Sequence, residues 1–268
     1  MPRRLLARAA FAAVLALPTS VLVAPRVAVA DVPPMTSELL FGYNVGAVPR
    51  QTLLKKVSAV WDVATATRRS SSRYDVESAR TFVSLGGGCA TSDCRVQDST
   101  VSLLVGTEAV EEPSGAVTYR AVYRFAPLDI AVAPLAVSAG DRIRGTIDRV
   151  SGLAALWRLT VRNLTTGESW TTSATHASMF GSAVWAVEGR VVVDEFGQGS
   201  SLMPDLAATQ FDEITLNGAY PRLRPEERMV FVPAMTTDVL GTPSLPQPDG
   251  NGFGACAWAT TCPVPPNF

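Results

Sequence analysis

Apolar residues recur at every second position through most of this chain, and short polar or glycine-rich breaks separate the runs. In "KKVSAVWDVATA", Val57, Ala59, Trp61 and Val63 share one face of an extended segment. The same period of two runs through "ARTFVSLGGG", "STVSLLVGTEAV", "GAVTYRAVYRFAP", "DRIRGTIDRV", "SAVWAVEGRVVV", "FDEITLNGA" and "RMVFVPAM". Turn residues punctuate them at Pro113-Ser114-Gly115, Ala139-Gly140-Asp141 and Asn217-Gly218. "NLTTGES" predicts a hairpin, with Trp157, Leu159 and Val161 alternating before it and Trp170 after it. No helix of ten or more residues is predicted past the N-terminal thirty, and "ESARTF" and "PEERM" read as short turns. Many short strands separated by turns predict an all-β sandwich.

The two ends depart from this pattern. Residues 1–30 combine Arg3, Arg4 and Arg8, an apolar run broken by Pro18, and Ala28-Val29-Ala30, the marks of a cleaved signal peptide. Secretion follows, with no membrane attachment after cleavage and a mature chain starting at Asp31. The expected domain is a sandwich over residues 31–250. A Gly/Pro-rich tail runs from Gly241, with room for one edge strand at its start, and its end, 251–268, is expected as an irregular loop tied down by cysteines. Four of the 23 basic residues fall in the leader, leaving 19 against 24 acidic ones. That mildly acidic balance excludes a nucleic-acid partner, which needs a basic patch. The four cysteines form two close pairs, Cys89 with Cys94 and Cys256 with Cys262. Export permits disulfides, and the local pairing is the simplest of three connectivities.

Most familiar chemistries fail for want of residues. His176, in "TSATHASMFGS", is the one histidine, so a Ser-His-Asp arrangement or a His-ligated zinc has little to build on. No metal and no cofactor is expected. "QPDGNG" reads as a plain turn, and Gly86-Gly87-Gly88 lacks the lysine and helix start of a phosphate cradle. Asn163-Leu164-Thr165 matches a glycosylation sequon that the hairpin already explains. The remaining oddity is Glu188, a carboxylate inside the apolar strand "SAVWAVEGRVV". It shares a face with Val184 and Ala186, while Trp185 and Val187 point the other way. Were both faces covered, it would need a partner or a proton.

Short matches in a consistent order resemble the glutamic peptidases (eqolisins, peptidase A4), secreted acid endopeptidases with a concanavalin A-like sandwich of two antiparallel sheets. "TSELLFGYNV" resembles S-x-N-W-A-G-Y, and "VSAVWDVATAT" resembles V-S-A-x-W-x-V-P. "FVSLGGG" resembles W-V-G-I-G-G, and "YRAVYRFAP" resembles Y-Y-A-W-Y-E-x-Y-P. "VSAGDRIRGTI", "LTVRNLTTGESWTT", "SAVWAVEG" and "LMPDLAATQFDEITLNGA" are similar to further family segments, the third of them to A-E-W-I-V-E. Together they run from about residue 36 to 219.

The resemblance implies a glutamate acting as acid and base on a water, and a glutamine positioning that water. The family glutamate falls on Glu188, in a concave groove that takes polypeptide. The family glutamine falls on Leu104, which cannot donate a hydrogen bond. Other groove positions have also changed, to Val122, Arg124 and Val184. Gln97 has the wrong strand parity to replace the glutamine, and Gln210 comes from a different strand. The register predicts an ion pair between Glu188 and Arg124. Two readings follow: an endopeptidase of impaired catalysis, or a non-catalytic groove for peptide or polysaccharide. Trp61, Phe82, Tyr119, Tyr123, Trp157 and Trp185 are candidate groove aromatics. A monomer is expected in either case.

Overall fold

The computed structural model describes residues 33–70, 75–91, 94, 102–150, 155–176 and 180–266, all within one compact unit, Val32–Phe268. The expected leader and Gln97 lie outside the described residues. Nineteen strands make up the described fold. The first nine are β1 Met35–Ser37, β2 Leu40–Gly46, β3 Lys56–Asp62, β4 Ala66–Thr67, β5 Glu77–Leu85, β6 Leu103–Glu111, β7 Val117–Phe125, β8 Ala131–Val132 and β9 Arg142–Arg149. Then follow β10 Leu156–Asn163, β11 Ser169–Thr175, β12 Ser182–Gly189, β13 Val191–Val193, β14 Gly199–Ser201 and β15 Asp205–Leu206. The last four are β16 Thr209–Leu216, β17 Arg228–Phe231, β18 Gly241–Pro243 and β19 Phe253–Ala257. Among the described residues, helix is confined to one turn at Ala47–Arg50 and a 3-10 turn at Pro225–Glu227. None of the described helices is long and apolar enough to cross a membrane.

Hydrogen bonding runs in the order β11-β10-β9-β3-β16-β19-β18-β17-β2-β12-β5-β6-β7-β8. The path folds over on itself, so that β5 and β6 pack against β3 and β9. The result is a sandwich of antiparallel sheets, joined along one side by the short strands β17–β19. Alternation dictates the interior. Val57, Ala59, Trp61 and Val63 all enter one buried cluster with Phe41, Tyr43, Trp157 and Trp185. Trp61, Phe211, Phe253 and Tyr43 form a run of ring contacts through it, with centroids 4.5–6.3 Å apart. The Tyr43 hydroxyl donates to the Ser244 carbonyl at 2.8 Å, and burial raises its pKa further from the physiological range.

Two segments differ from expectation. "ESARTF" is not a turn but the body of β5, because Ala79, Thr81 and Val83 alternate inward beneath polar partners. The tail is not a loop throughout, nor is its strand at an edge. Phe253 and Ala255 alternate inward, which draws β19 between β16 and β18. Composition hides this strand, since glycine and proline surround it. The Cys256–Cys262 disulfide then closes the residues beyond it, and Cys89–Cys94 closes the loop after β5. At the predicted hairpin, β10 pairs with β11, and Asn163 is fully buried with its amide donating to Asp141 and Ala136. That burial leaves its sequon no room for a glycan.

Two tryptophans fasten the strands that carry Glu188 and Leu104 to the opposite layer. Trp185 on β12 donates through Nε1 to the Ser58 carbonyl on β3 at 3.1 Å. Trp61 on β3 donates to Thr107 Oγ1 on β6 at 2.9 Å. The Trp61 ring needs the bare backbone of Gly145 on β9, where an added Cβ would come within 2.7 Å of the indole. Gly145→Ala should therefore cost about 1–3 kcal/mol, the range for overpacking a filled core. Urea denaturation monitored by tryptophan fluorescence measures it, and an unchanged midpoint would mean that the indole is not held as described.

Candidate active site

β12 alternates as its sequence predicts. Trp185 and Val187 are fully buried in the sandwich interior, and Val184, Ala186 and Glu188 lie on the outer face. Register fixes the neighbours of Glu188. It sits opposite Leu40 on β2 and Arg80 on β5; Arg80 sits opposite Glu108 on β6, and Glu108 opposite Arg120 on β7. Charges therefore alternate along one lateral row crossing four strands: Glu188, Arg80, Glu108, Arg120.

The side chains use that register. Arg80 Nη1 donates to Glu188 Oε2 at 2.5 Å, and Nη2 donates to Glu108 Oε1 at 2.8 Å. Arg120 closes on Glu108 Oε2 with Nη2 at 2.6 Å and Nε at 2.7 Å. Glu108 is 5% exposed at its side chain, whereas Glu188 keeps 27%. Glu188, Arg80 and Glu108 line a cleft of about 350 Å³ together with Leu39, Ser78 and Arg190.

Leu104 occupies a different row. It lies between Ser84 and Arg124, and Ser84 in turn faces Val184. Between this row and the charged one lie Ala186, Phe82, Gly106 and Val122. Leu104, Val122, Val184, Phe82 and Ala186 form one apolar cluster, all less than 6% exposed, with Met35, Leu40 and Ile130 packed on it. The outer face around Leu104 is thus packed with apolar side chains, and a cleft opens beside Glu188.

The expected Glu188–Arg124 ion pair is not formed. Arg80 lies in the same row as Glu188 and takes its carboxylate, while Arg124 stands in the Leu104 row and donates to Ser102 Oγ at 2.6 Å. Burial lowers the Arg124 pKa, and the charge of Glu188 partly offsets this. Of the six candidate groove aromatics, Phe82 alone is on the outer face. Trp61, Trp157 and Trp185 are in the interior, and Tyr119 and Tyr123 pack against it. Gln210 lies on β16, beside β3 and β19 and away from the charged row. His176 is engaged with the Ala126 carbonyl and stacks on Phe180. Among the described residues no cluster of His, Cys, Asp or Glu could hold a metal.

Arg80, Glu108 and Arg120 are site residues that the sequence reading missed, and one of them, Glu108, was within its reach. Its signal was present: Leu104, Gly106 and Glu108 are two apart, so any face that holds the first holds the third.

The sequence profile of the Peptidase A4 family matches residues 43–227. The chain belongs to this family. Solved structures of eqolisins share its fold. Scytalido-glutamic peptidase bound to a transition state analog inhibitor aligns with a TM-score of 0.59 and 17% identity, over 83% of this chain and 100% of its own. SCP-B, an eqolisin family peptidase in a complex with the tripeptide Ala-Ile-His, gives 0.53 and 17% over the same shares. Aspergilloglutamic peptidase from Aspergillus niger gives 0.50 and 22%, over 67% of this chain and 98% of its own. No curated protein matches the sequence closely enough to count as a relative.

Within this peptidase A4 chain, Glu108 is the hub of the charged row. Replacing it takes one of two carboxylates from the shielded Arg80 and, among the described residues, the one acidic partner of the more exposed Arg120, at a position itself 5% exposed. Glu108→Gln should cost about 2–4 kcal/mol, because breaking a buried pair strands its partner. Glu188→Gln, at the more exposed end, should cost less than half of that. Chemical denaturation at neutral pH ranks the two, and equal costs would count against the hub.

Proposed function

We propose that this chain is an exported peptidase A4 protein of impaired catalysis, whose cleft beside Glu188 receives a polypeptide segment without cleaving it efficiently. One observation carries the reading: the carboxylate at the position of the family glutamate is held by Arg80. A general base must accept a proton from the attacking water. Here Oε2 is committed to a guanidinium, and freeing it leaves Arg80 with one carboxylate instead of two.

The helper is absent as well. Leu104 stands at the family glutamine position and offers no donor. Arg80 does not stand in its place: it lies in the Glu188 row, four residues along β5 from the Ser84 that faces Leu104, and its Nη groups donate to Glu188 and Glu108. Loss of one oxyanion donor costs about 10²–10³ in rate, and loss within a catalytic unit is not additive. A polypeptide ligand is supported by the cleft at Glu188 and by the peptide-bound state of the eqolisin SCP-B. Export is supported by the leader-like residues 1–30 and by the two disulfides.

Denatured casein incubated with the mature protein between about pH 2 and 5, where carboxylates titrate, tests this reading. The parent and Glu188→Gln should be equally inert. Leu104→Gln alone should stay inert, because the Arg80 hold on Glu188 remains. Cleavage by the parent that disappears in Glu188→Gln would show a working peptidase instead.

A further inference from the structure

A second pair of acids meets at the end of the sandwich interior, on the other face of the same strands. Glu77 opens β5 and Glu111 closes β6, and the register sets them directly opposite one another. Both belong to the inward-facing series, Glu77 with Ala79 and Thr81, Glu111 with Ala109 and Thr107. They are 1% and 2% exposed.

Their bonding is unequal. Glu77 Oε2 accepts the backbone N–H of Arg69 at 2.9 Å, and Oε1 accepts that of Ser70. Glu77 thereby ties down the segment that follows β4. Glu111 Oε2 is buried with no hydrogen-bond partner among the described residues. Charged and titratable groups surround the pair from each packed element. Arg68 and Arg69 come from the segment after β4, Asp205 from β15, Tyr119 from β7, and Glu112 from just beyond β6. Arg68 donates to the carbonyls of Ser70, Asp75 and Glu112. Arg69 pairs with Asp205 at 2.9 Å and lies over the Trp258 ring. The Tyr119 hydroxyl accepts the Ala66 N–H at 2.9 Å.

Two ionised carboxylates side by side, away from water, repel each other and lose hydration. A single proton relieves both costs, as in other carboxyl pairs that share a site. We propose that Glu111 carries a proton in acid and that it and Glu77 act as a latch, fastening residues 66–70 to the end of the sandwich and loosening as the pH rises towards neutrality. The proton resides on Glu111, whose second oxygen lacks any other partner. When it leaves, Glu77 faces a like charge. Turning away from that charge gives up the Arg69 and Ser70 amides.

Burial, and after it the charge of Glu77, pushes the Glu111 carboxyl above the ordinary range, while Arg68 pulls it back. The sign follows from linkage. A carboxyl raised in the folded state adds stability that is complete below its unfolded value and is lost as pH climbs through the folded one. Glu227 is raised by burial too, despite Arg50, and has the same sign. A local readout is therefore required.

Amide hydrogen exchange at Arg69 and Ser70, corrected for intrinsic rates and followed from about pH 4 to 7.5, supplies it. In the parent, protection should fall severalfold over that range, as the proton on Glu111 is lost. In Glu111→Gln, whose amide does not ionise, protection should stay level, and its melting temperature should fall a few degrees less than the parent's over the same range. Protection in the parent that ignores pH overturns the latch. So does a folded Glu111→Gln protein that keeps the parent's pH dependence. If that variant does not fold, the parent's own profile decides.

Discussion

Arg80 joins carboxylates from two strands that do not touch each other. Glu188 belongs to β12 and Glu108 to β6, and β5 lies between them with Arg80 in the same lateral row. The guanidinium fork spans that gap with one Nη group for each side. This bridge decides what Glu188 can do. One oxygen of its carboxylate is anchored to a cation, and the anchor is itself braced by Arg120 through Glu108.

The bridge depends on the packing underneath. A one-residue slip between β12 and β5 would turn Glu188 into the sandwich and Trp185 out of it. The slip is blocked by the burial of Trp185 and Val187, and by the indole bonds that tie β12 and β6 to β3. The core thus sets the register, and the register sets the charge row. The apolar cluster around Leu104 acts in the same direction. It packs the outer face beside the charged row, next to the cleft at Glu188.

Much of this was legible in the chain. Alternation in "SAVWAVEG" gives the face of Glu188, and the ordered family segments give the sandwich and the positions of Glu188 and Leu104. The partner of Glu188 was not legible. The resemblance to the family pointed to Arg124 instead, by setting it at a groove position. Which β5 residue lies beside Glu188 depends on pairing between strands some hundred residues apart in sequence; alternation along one strand gives each residue's face but not its neighbour on the next strand. Glu108 could have been found by following the face of Leu104 two steps further along β6. The strand β19 was hidden for a different reason. Its inward Phe253 and Ala255 are too few to stand out among glycines and prolines, and only tertiary packing against Phe211 and Tyr43 makes it a strand.

A double-mutant cycle on Arg80 and Glu188 tests the central claim most directly. Arg80→Ala, Glu188→Gln and the double variant would be compared with the parent by chemical denaturation at neutral pH. The account predicts a coupling energy of about 1 kcal/mol or more, as expected for a hydrogen-bonded charge pair that is mostly shielded from water. Additive effects, within about 0.3 kcal/mol, would mean that Arg80 does not hold Glu188, and that the carboxylate is free for the family's chemistry.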